Sequence, residues 1–174
     1  MRAGLSPNEA MKQASTSTGR INGTKHPRQR YFVRKSGIHG RGVFAAATIG
    51  KGTRIVEYKG ERLSHDEVDR RYLDVPEEDN HTFLFEVDEH WVIDASVRGN
   101  AARWINHGCN PNCEAIEEDG RIFIEATRKI GPGEELTYDY NITLEERHTA
   151  HAKRIWSCRC GAKGCRGTIL ARKR

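Results

Sequence analysis

Three groups of residues in this 174-residue chain have types and spacings that could do chemistry. Cys158-x-Cys160-x4-Cys165 gathers three thiols into one short stretch, with Gly161 and Gly164 letting the backbone fold tightly between them. Three sulfurs are one short of a closed tetrahedral metal site. Thiolate-rich closure favours zinc over calcium or magnesium, which take oxygen. The fourth donor must come from elsewhere: Cys109, Cys113 or a histidine. Both cysteines lie in the second group, the polar, turn-forming run Asn106-His107-Gly108-Cys109-Asn110-Pro111-Asn112-Cys113-Glu114. A metal shared between the two groups would clip the C-terminal segment onto the middle of the domain. The third group is Tyr138-Asp139-Tyr140, two phenols that strand alternation places on one face. His148 and His151 lie one helical turn apart, but a pair on a charged helix is more often solvated than liganded.

The elements that must position these groups are short. Candidate strands are Tyr31–Arg34, Gly42–Ala45, Arg54–Tyr58, Thr82–Val87, Trp91–Asp94 and Arg121–Ala126, with a further one at Glu135–Thr137. Asp119-Gly120 signals a hairpin turn between Glu114–Glu117 and Arg121–Ala126. Ser64 with Glu67 three residues later makes a capping box that opens a helix through about Tyr72. A short helix is expected near Asn100–Ile105 and a polar one over Leu144–Arg154. The fold class is therefore mostly β with minor α, rich in loops.

Length fits one domain with tails and a core of its own. Hydrophobic content is 36% and charged content 30%, and no run approaches the roughly 20 apolar residues of a membrane helix. The first thirty residues hold no apolar run, so a secretory signal is not expected. With five cysteines, an odd number, a reducing, intracellular compartment and metal binding are preferred over disulfides. The net charge of +5 is uneven: both ends are basic, while Glu77-Glu78-Asp79 and Glu117-Glu118-Asp119 are acidic. Basic ends can contact nucleic acid, although no aromatic stacking residues are interleaved with them.

Four blocks then carry a resemblance. Arg103-Trp104-Ile105-Asn106-His107-Gly108-Cys109-x-Pro111-Asn112-Cys113 resembles the R-F-I-N-H-S-C-x-P-N-C signature of SET-domain protein lysine methyltransferases. Ser36-Gly37-Ile38-His39-Gly40-Arg41-Gly42-Val43-Phe44 is similar to that family's N-terminal segment, and Gly133-Glu134-Glu135-Leu136-Thr137-Tyr138-Asp139-Tyr140 to its G-E-E-L-T-Y-D-Y segment. The stretch Cys158 to Gly167 resembles the post-SET zinc motif. The blocks fall in family order, and the likeness is greatest to the compact histone H3 lysine 4 type, whose core bacterial SET proteins share.

The resemblance implies small curved β-sheets around a pseudoknot, where the Asn106–Cys113 and Glu135–Tyr140 segments cross. Composition, with almost no apolar periodicity, reads 1–29 as a disordered basic tail; a SET domain then spans 30–141, a polar linker or helix 142–153, a post-SET zinc motif 154–170 and a basic tail 171–174, as the resemblance implies. The implied cofactors are S-adenosylmethionine and zinc, the latter on Cys109, Cys158, Cys160 and Cys165, leaving Cys113 a free buried thiol. Tyr140 is the implied catalytic tyrosine. Tyr138 is the residue that sets how many methyls are added, and a tyrosine there implies one. His39, Gly40, Arg41, Gly42, Phe83, Asn106, His107 and Arg159 would contact the cofactor. Phe83 stands where the family often has a channel tyrosine, so one hydroxyl is lost; Trp104 replaces a phenylalanine and reads as core packing. The substrate is a lysine in an extended peptide such as a basic histone tail, drawn by Glu86, Asp88 and the Glu117–Asp119 turn. Such a protein acts in a nucleus, or in a bacterial cytoplasm or as an exported effector. The alternative reading is a catalytically weak SET module that binds a peptide or partner.

Methyl transfer requires a neutral lysine amine. At physiological pH its neutralisation costs about 4 kcal/mol, which a narrow apolar channel and a nearby sulfonium charge offset. Alignment then matters more than a strong base.

Overall fold

The computed structural model describes residues 30–75, 83–144 and 147–172. The tail expected over 1–29, the run Glu77-Glu78-Asp79, Thr82, and positions 145, 146, 173 and 174 lie outside the described residues. Strands β1 (Tyr31–Lys35) and β2 (Arg41–Ala45) form a hairpin with Val33 opposite Val43. There follow β3 (Arg54–Tyr58), β4 (Glu61–Ser64), α1 (His65–Tyr72), β5 (Leu84–Glu86) and β6 (Trp91–Asp94). A single 3-10 turn, Ala101–Trp104, leads into β7 (Asn106–His107), β8 (Cys113–Glu118), β9 (Arg121–Ala126), β10 (Thr137–Tyr138) and α2 (Ala150–Ile155). The strands make four small sheets: β1-β2, β3-β9-β8, β4-β6-β5 and the parallel pair β10-β7.

Local chemistry explains several of these. Ser64 and Glu67 form the expected capping box, with the Ser64 Oγ accepting from the Glu67 amide and the Glu67 carboxylate accepting from the Ser64 amide. Asp119 and Gly120 both have positive φ, 51° and 72°, as a two-residue turn requires, and they set Glu118 opposite Arg121. In the centre of its sheet, β9 is apolar on consecutive residues and buries Ile122, Phe123 and Ile124. The fully buried run in β2 has a different cause. Its free edge is covered by the 134–136 segment, through Ala45 N–H to the Glu134 carbonyl (2.9 Å) and Leu136 N–H to the Val43 carbonyl (2.8 Å). Val43, Ile105, Ile124, Ile130 and Leu136, none more than 1% exposed, fill the middle.

That middle is where the two motif segments meet. β7 and β10 lie in parallel register, Asn106 beside Thr137 and His107 beside Tyr138, which is the juxtaposition the expected pseudoknot needs. Asn112, 2% exposed, stitches them: its Nδ2 donates to the Glu135 carbonyl (2.8 Å) and to Glu134 Oε1 (3.1 Å), and its Oδ1 accepts from Thr137 N–H (2.9 Å).

Four expectations need correction. The strand sought at Thr82–Val87 runs only over Leu84–Glu86. The one sought at Glu135–Thr137 lies at Thr137–Tyr138, because Glu135 spends its backbone on an isolated bridge to Phe44. The helix sought near Asn100–Ile105 is one 3-10 turn capped by the Asn100 side chain. The polar helix sought from Leu144 begins only at Ala150, where Thr149 Oγ1 accepts from the Ala152 amide. No helix among the described residues is long and apolar enough to cross a membrane.

Candidate active site

Cys109, in the turn after β7, and Cys158, Cys160 and Cys165, in the segment after α2, place all four sulfurs within 4.8 Å of one another. Cys109 Sγ lies 3.7 Å from Cys158 Sγ and 3.8 Å from Cys165 Sγ. Metal–sulfur bonds of about 2.3 Å in a tetrahedron put the sulfurs about 3.8 Å apart, so the donor set fits one metal ion. Backbone amides of Cys160, Arg166 and Gly167 each point at a cluster sulfur (3.4 Å), which favours the thiolate form. Gly161 (φ 67°) and Gly164 (φ 85°) supply the left-handed turns that bring Cys165 back. Cys113 does not join: it is 1% exposed at the start of β8, and burial pushes its thiol up to about 12. Neither His148 nor His151 belongs to the cluster.

The cluster touches the Asn106-His107 pair. His107 is 3% exposed, and burial holds it neutral, down to about 4. Its Nδ1 accepts from the Tyr140 amide (3.1 Å), so the proton sits on Nε2, 3.3 Å from Cys109 Sγ. Asn106 is 8% exposed, and its Nδ2 meets three acceptors: the carbonyls of His39 (3.2 Å) and Arg41 (2.9 Å) and Glu135 Oε1 (2.8 Å). These bonds fix which way the amide points, and they leave Oδ1 available as an acceptor. His39 and Arg41 thus hold Asn106 with backbone oxygens. The Arg41 guanidinium stacks over Trp104 at 5.2 Å.

The glycines of this loop act differently from one another. A Cβ on Gly40 (φ 44°) would meet nothing within 4 Å, beside an open groove of about 570 Å³ lined by Val33, Arg34, Lys35, Gly40 and Arg41. A Cβ on Gly42 would come 2.3 Å from Glu135 Oε1. Gly42 is therefore explained by a carboxylate of the protein itself. Glu135 Oε1 also accepts from Ser36 Oγ (2.7 Å), so it ties the loop to Asn106.

Behind this pair lies a row of aromatic rings. Tyr140 stands edge-on to His107 at 5.4 Å, Tyr138 is 4.9 Å from Tyr140, Phe85 is 6.1 Å from Tyr138, and Tyr58 is 5.2 Å from Phe85. Burial raises the Tyr138 and Tyr140 phenols above their ordinary value, so both stay protonated. Tyr140 donates to the Ile105 carbonyl (2.9 Å) and Tyr58 to the Phe83 carbonyl (3.0 Å). The Tyr138 hydroxyl bonds to no described residue, and the residue as a whole is 7% exposed. Phe83 packs edge-on to Trp104 at 4.9 Å, and Arg103 stacks on both. Trp104 is thus a half-buried ring packed against the core, as expected, with two guanidinium groups stacked on it.

The structure brings Asn106, His107, Tyr138, Tyr140 and the four cysteines together. Arg159 stays exposed between Cys158 and Cys160 and bonds to none of them. Glu135, Asn112, Tyr58 and the pair Asp139–Arg166 were not singled out from the sequence. Only their burial and their distant partners reveal them.

Residues 40–141 match the SET domain family. The chain is 42% identical over 173 residues to a protein of Emericella nidulans named histone-lysine N-methyltransferase, H3 lysine-4 specific, covering 92% of the chain and 14% of the relative. It is 40% identical over 138 residues to Homo sapiens histone-lysine N-methyltransferase 2B, covering 77% of the chain and 5% of the relative. It is 39% identical over 138 residues to Drosophila melanogaster histone-lysine N-methyltransferase trithorax, covering 77% of the chain and 4% of the relative. The chain therefore spans a small part of the length of these curated relatives. The crossing of the Asn106 and Tyr138 segments and a match over most of the length agree: the chain belongs to the SET-domain family.

Proposed function

We propose that the chain is an S-adenosylmethionine-dependent protein-lysine N-methyltransferase that adds one methyl group to a lysine of a basic, histone-like tail. The observation that carries this reading is the row of rings with Tyr138 at its middle, whose hydroxyl alone among those of Tyr58, Tyr138 and Tyr140 is left without a partner among the described residues. S-adenosylmethionine, when bound, supplies the methyl group and the sulfonium charge. Asn106, whose Oδ1 is left available as an acceptor, and His107, neutral and fixed at both nitrogens, would hold that donor. The buried aromatic surroundings would disfavour a charged amine, so the lysine would react in its neutral form. Tyr140, anchored at Ile105 and at His107, holds the line of attack. The open Tyr138 hydroxyl occupies the space a second methyl would need.

The β4-β6-β5 order leaves Leu84–Glu86, which carries Phe85, at a sheet edge, and an extended peptide can add there as a further strand. Glu86 offers a charge to a basic tail. The Glu117–Asp119 turn contributes less than its composition implies, because Glu118 is bonded to Arg54 (2.6 Å) and Glu117 to the Gly120 amide. Zinc is the ion we assign to the four thiolates, and it fastens the tail against the pocket. The names of the relatives support a histone substrate, and so a place on chromatin where the cell has it.

Incubation with labelled S-adenosylmethionine and histones should label lysine, with mass spectrometry finding single methylation. Tyr140→Phe should lower kcat by about 10²-fold while cofactor binding holds, since it loosens orientation alone. Peptide binding without any transfer by the wild type would favour the binding-module reading instead.

A further inference from the structure

We propose that Arg166 is a positioning residue that passes the state of the cysteine cluster to the Tyr138–Tyr140 segment. The proposal rests on the roles assigned above to those tyrosines. Arg166 follows the cluster residue Cys165, and its amide donates to Cys109 Sγ at 3.4 Å, so its backbone is fixed by the cluster. Its guanidinium reaches back to Asp139 in a two-pronged pair, Nη1 to Oδ2 at 2.5 Å and Nη2 to Oδ1 at 2.8 Å. The Arg166 side chain is only 13% exposed. A planar fork on a carboxylate fixes orientation as well as distance, unlike a mobile surface ion pair.

Asp139 sits between the two tyrosines. Its Oδ1 also accepts from the Asn141 amide at 3.1 Å, and Asn141 adopts φ 52°, a left-handed conformation unusual for a residue with a side chain. Arg166 thus holds the carboxylate that holds the turn that ends the Tyr138–Tyr140 segment. A second arm reaches the same place: Cys109 Sγ to His107 Nε2, then His107 Nδ1 to the Tyr140 amide. Just beyond, Leu170 bridges Ile142 and is fully buried, so the tail seats against this segment along its length.

Neither arm uses a metal ligand other than Cys109, and Arg166 supplies no donor to the metal. Holding a metal and setting the tyrosines are therefore separable by mutation. A structural ion pair would stabilise the whole chain; this one is built to act on five residues.

The test uses the metal-loaded full chain with Arg166→Met and Arg166→Lys, and Asp139→Asn in each background. Metal per chain should stay at the wild-type value in all. Amide hydrogen exchange of residues 138–142 should rise about tenfold in Arg166→Met while β9 stays protected. The kcat should fall about tenfold with the donor KM within about twofold, because orientation and not binding is lost. Arg166→Lys should recover part of both, and Asp139→Asn should add nothing to Arg166→Met. Loss of metal, exchange that rises evenly over the chain, or wild-type exchange in Arg166→Met would each overturn the proposal. The exchange reading does not need activity. A wild type that fails to transfer methyl would count against the proposed function and leave this result to stand or fall separately.

Discussion

Asn112 offers a sharp test of how the two motif segments are held together. Its amide is 2% exposed and carries bonds to the Glu135 carbonyl, Glu134 Oε1 and the Thr137 amide. In Asn112→Ala, the part-buried Glu135 carbonyl and Thr137 N–H lose their partners. Each costs about 1–3 kcal/mol. Glu134 loses less, because Arg128 and the Gly131 amide still hold its carboxylate. The sum is about 2–6 kcal/mol, a large share of the 5–15 kcal/mol typical of a domain. At about 2–4 °C per kcal/mol for a chain of this size, calorimetry should show a midpoint lower by roughly 4–24 °C.

Asn112→Asp separates hydrogen bonding from shape. The aspartate keeps an acceptor for Thr137 but turns an oxygen toward the Glu134 carboxylate and the Glu135 carbonyl, where a donor stood. Its folded pKa must rise above the unfolded value of about 3.9, since only the protonated form donates. Between those two values the native state binds more protons than the unfolded state, so stability falls as pH rises. The variant should lie nearest the wild type at about pH 4 and fall progressively further behind toward neutrality. A deficit that is flat across this range, or an Asn112→Ala midpoint within about 2 °C of wild type, would show that the crossing is held by packing alone.

Gly42→Ala should drive Glu135 Oε1 off Asn106 and Ser36, because a Cβ would stand 2.3 Å from that oxygen. We expect weaker S-adenosylmethionine binding by calorimetry and a stability loss of about 1–3 kcal/mol; unchanged affinity would remove Glu135 from the site. Cys109→Ser should lower metal content by elemental analysis, while Cys113→Ser should leave it unchanged, and metal loss from the latter would contradict the cluster. Asp94, fully buried, is pushed up by burial but held below its usual range overall by Ser96, Arg71 and Tyr72. Its contribution to stability is complete above about pH 4 and is lost as pH falls through its lower folded value. Acid unfolding of Asp94→Asn should therefore be shallower than that of the wild type, and superimposable curves would speak against the network.

What the sequence disclosed was local chemistry. The Ser64–Glu67 box and the Asp119-Gly120 turn are complete within a few residues, so both were legible. Strand β4 was not, because Glu61-Arg62-Leu63-Ser64 shows one apolar residue and pairs only once β6 is beside it. The choice between Cys109 and Cys113 was open on spacing, since both lie in one run. The fold decides it by starting β8 at Cys113, which turns that thiol into the core. Glu135 lay in a quoted block yet carried no signal. Its partners Ser36 and Asn106 are 99 and 29 residues away, and a carboxylate reads as surface until burial says otherwise. Arg166 was hidden for the same reason, its partner being 27 residues distant.

The missing hydroxyl at Phe83 looks different once every phenol in the row is accounted for. A hydroxyl already donating to a backbone carbonyl is poorly placed to donate again to an amine. Tyr58 spends its proton on Phe83 and Tyr140 on Ile105, so the loss at Phe83 leaves Tyr138 as the one phenol in the row able to turn toward an incoming group. The two departures are also one adjustment. Trp104 meets the bare edge of Phe83, and Arg103 stacks on both rings, filling with aromatic and guanidinium surface what a polar group would have needed to hydrate. A tyrosine at position 83 would put a hydroxyl against this stack, where it must find a partner or pay the cost of burial without one. On the proposed reading, the departure narrows control of product multiplicity onto Tyr138; Tyr140 stays in place, anchored by its own hydroxyl and by its amide on His107.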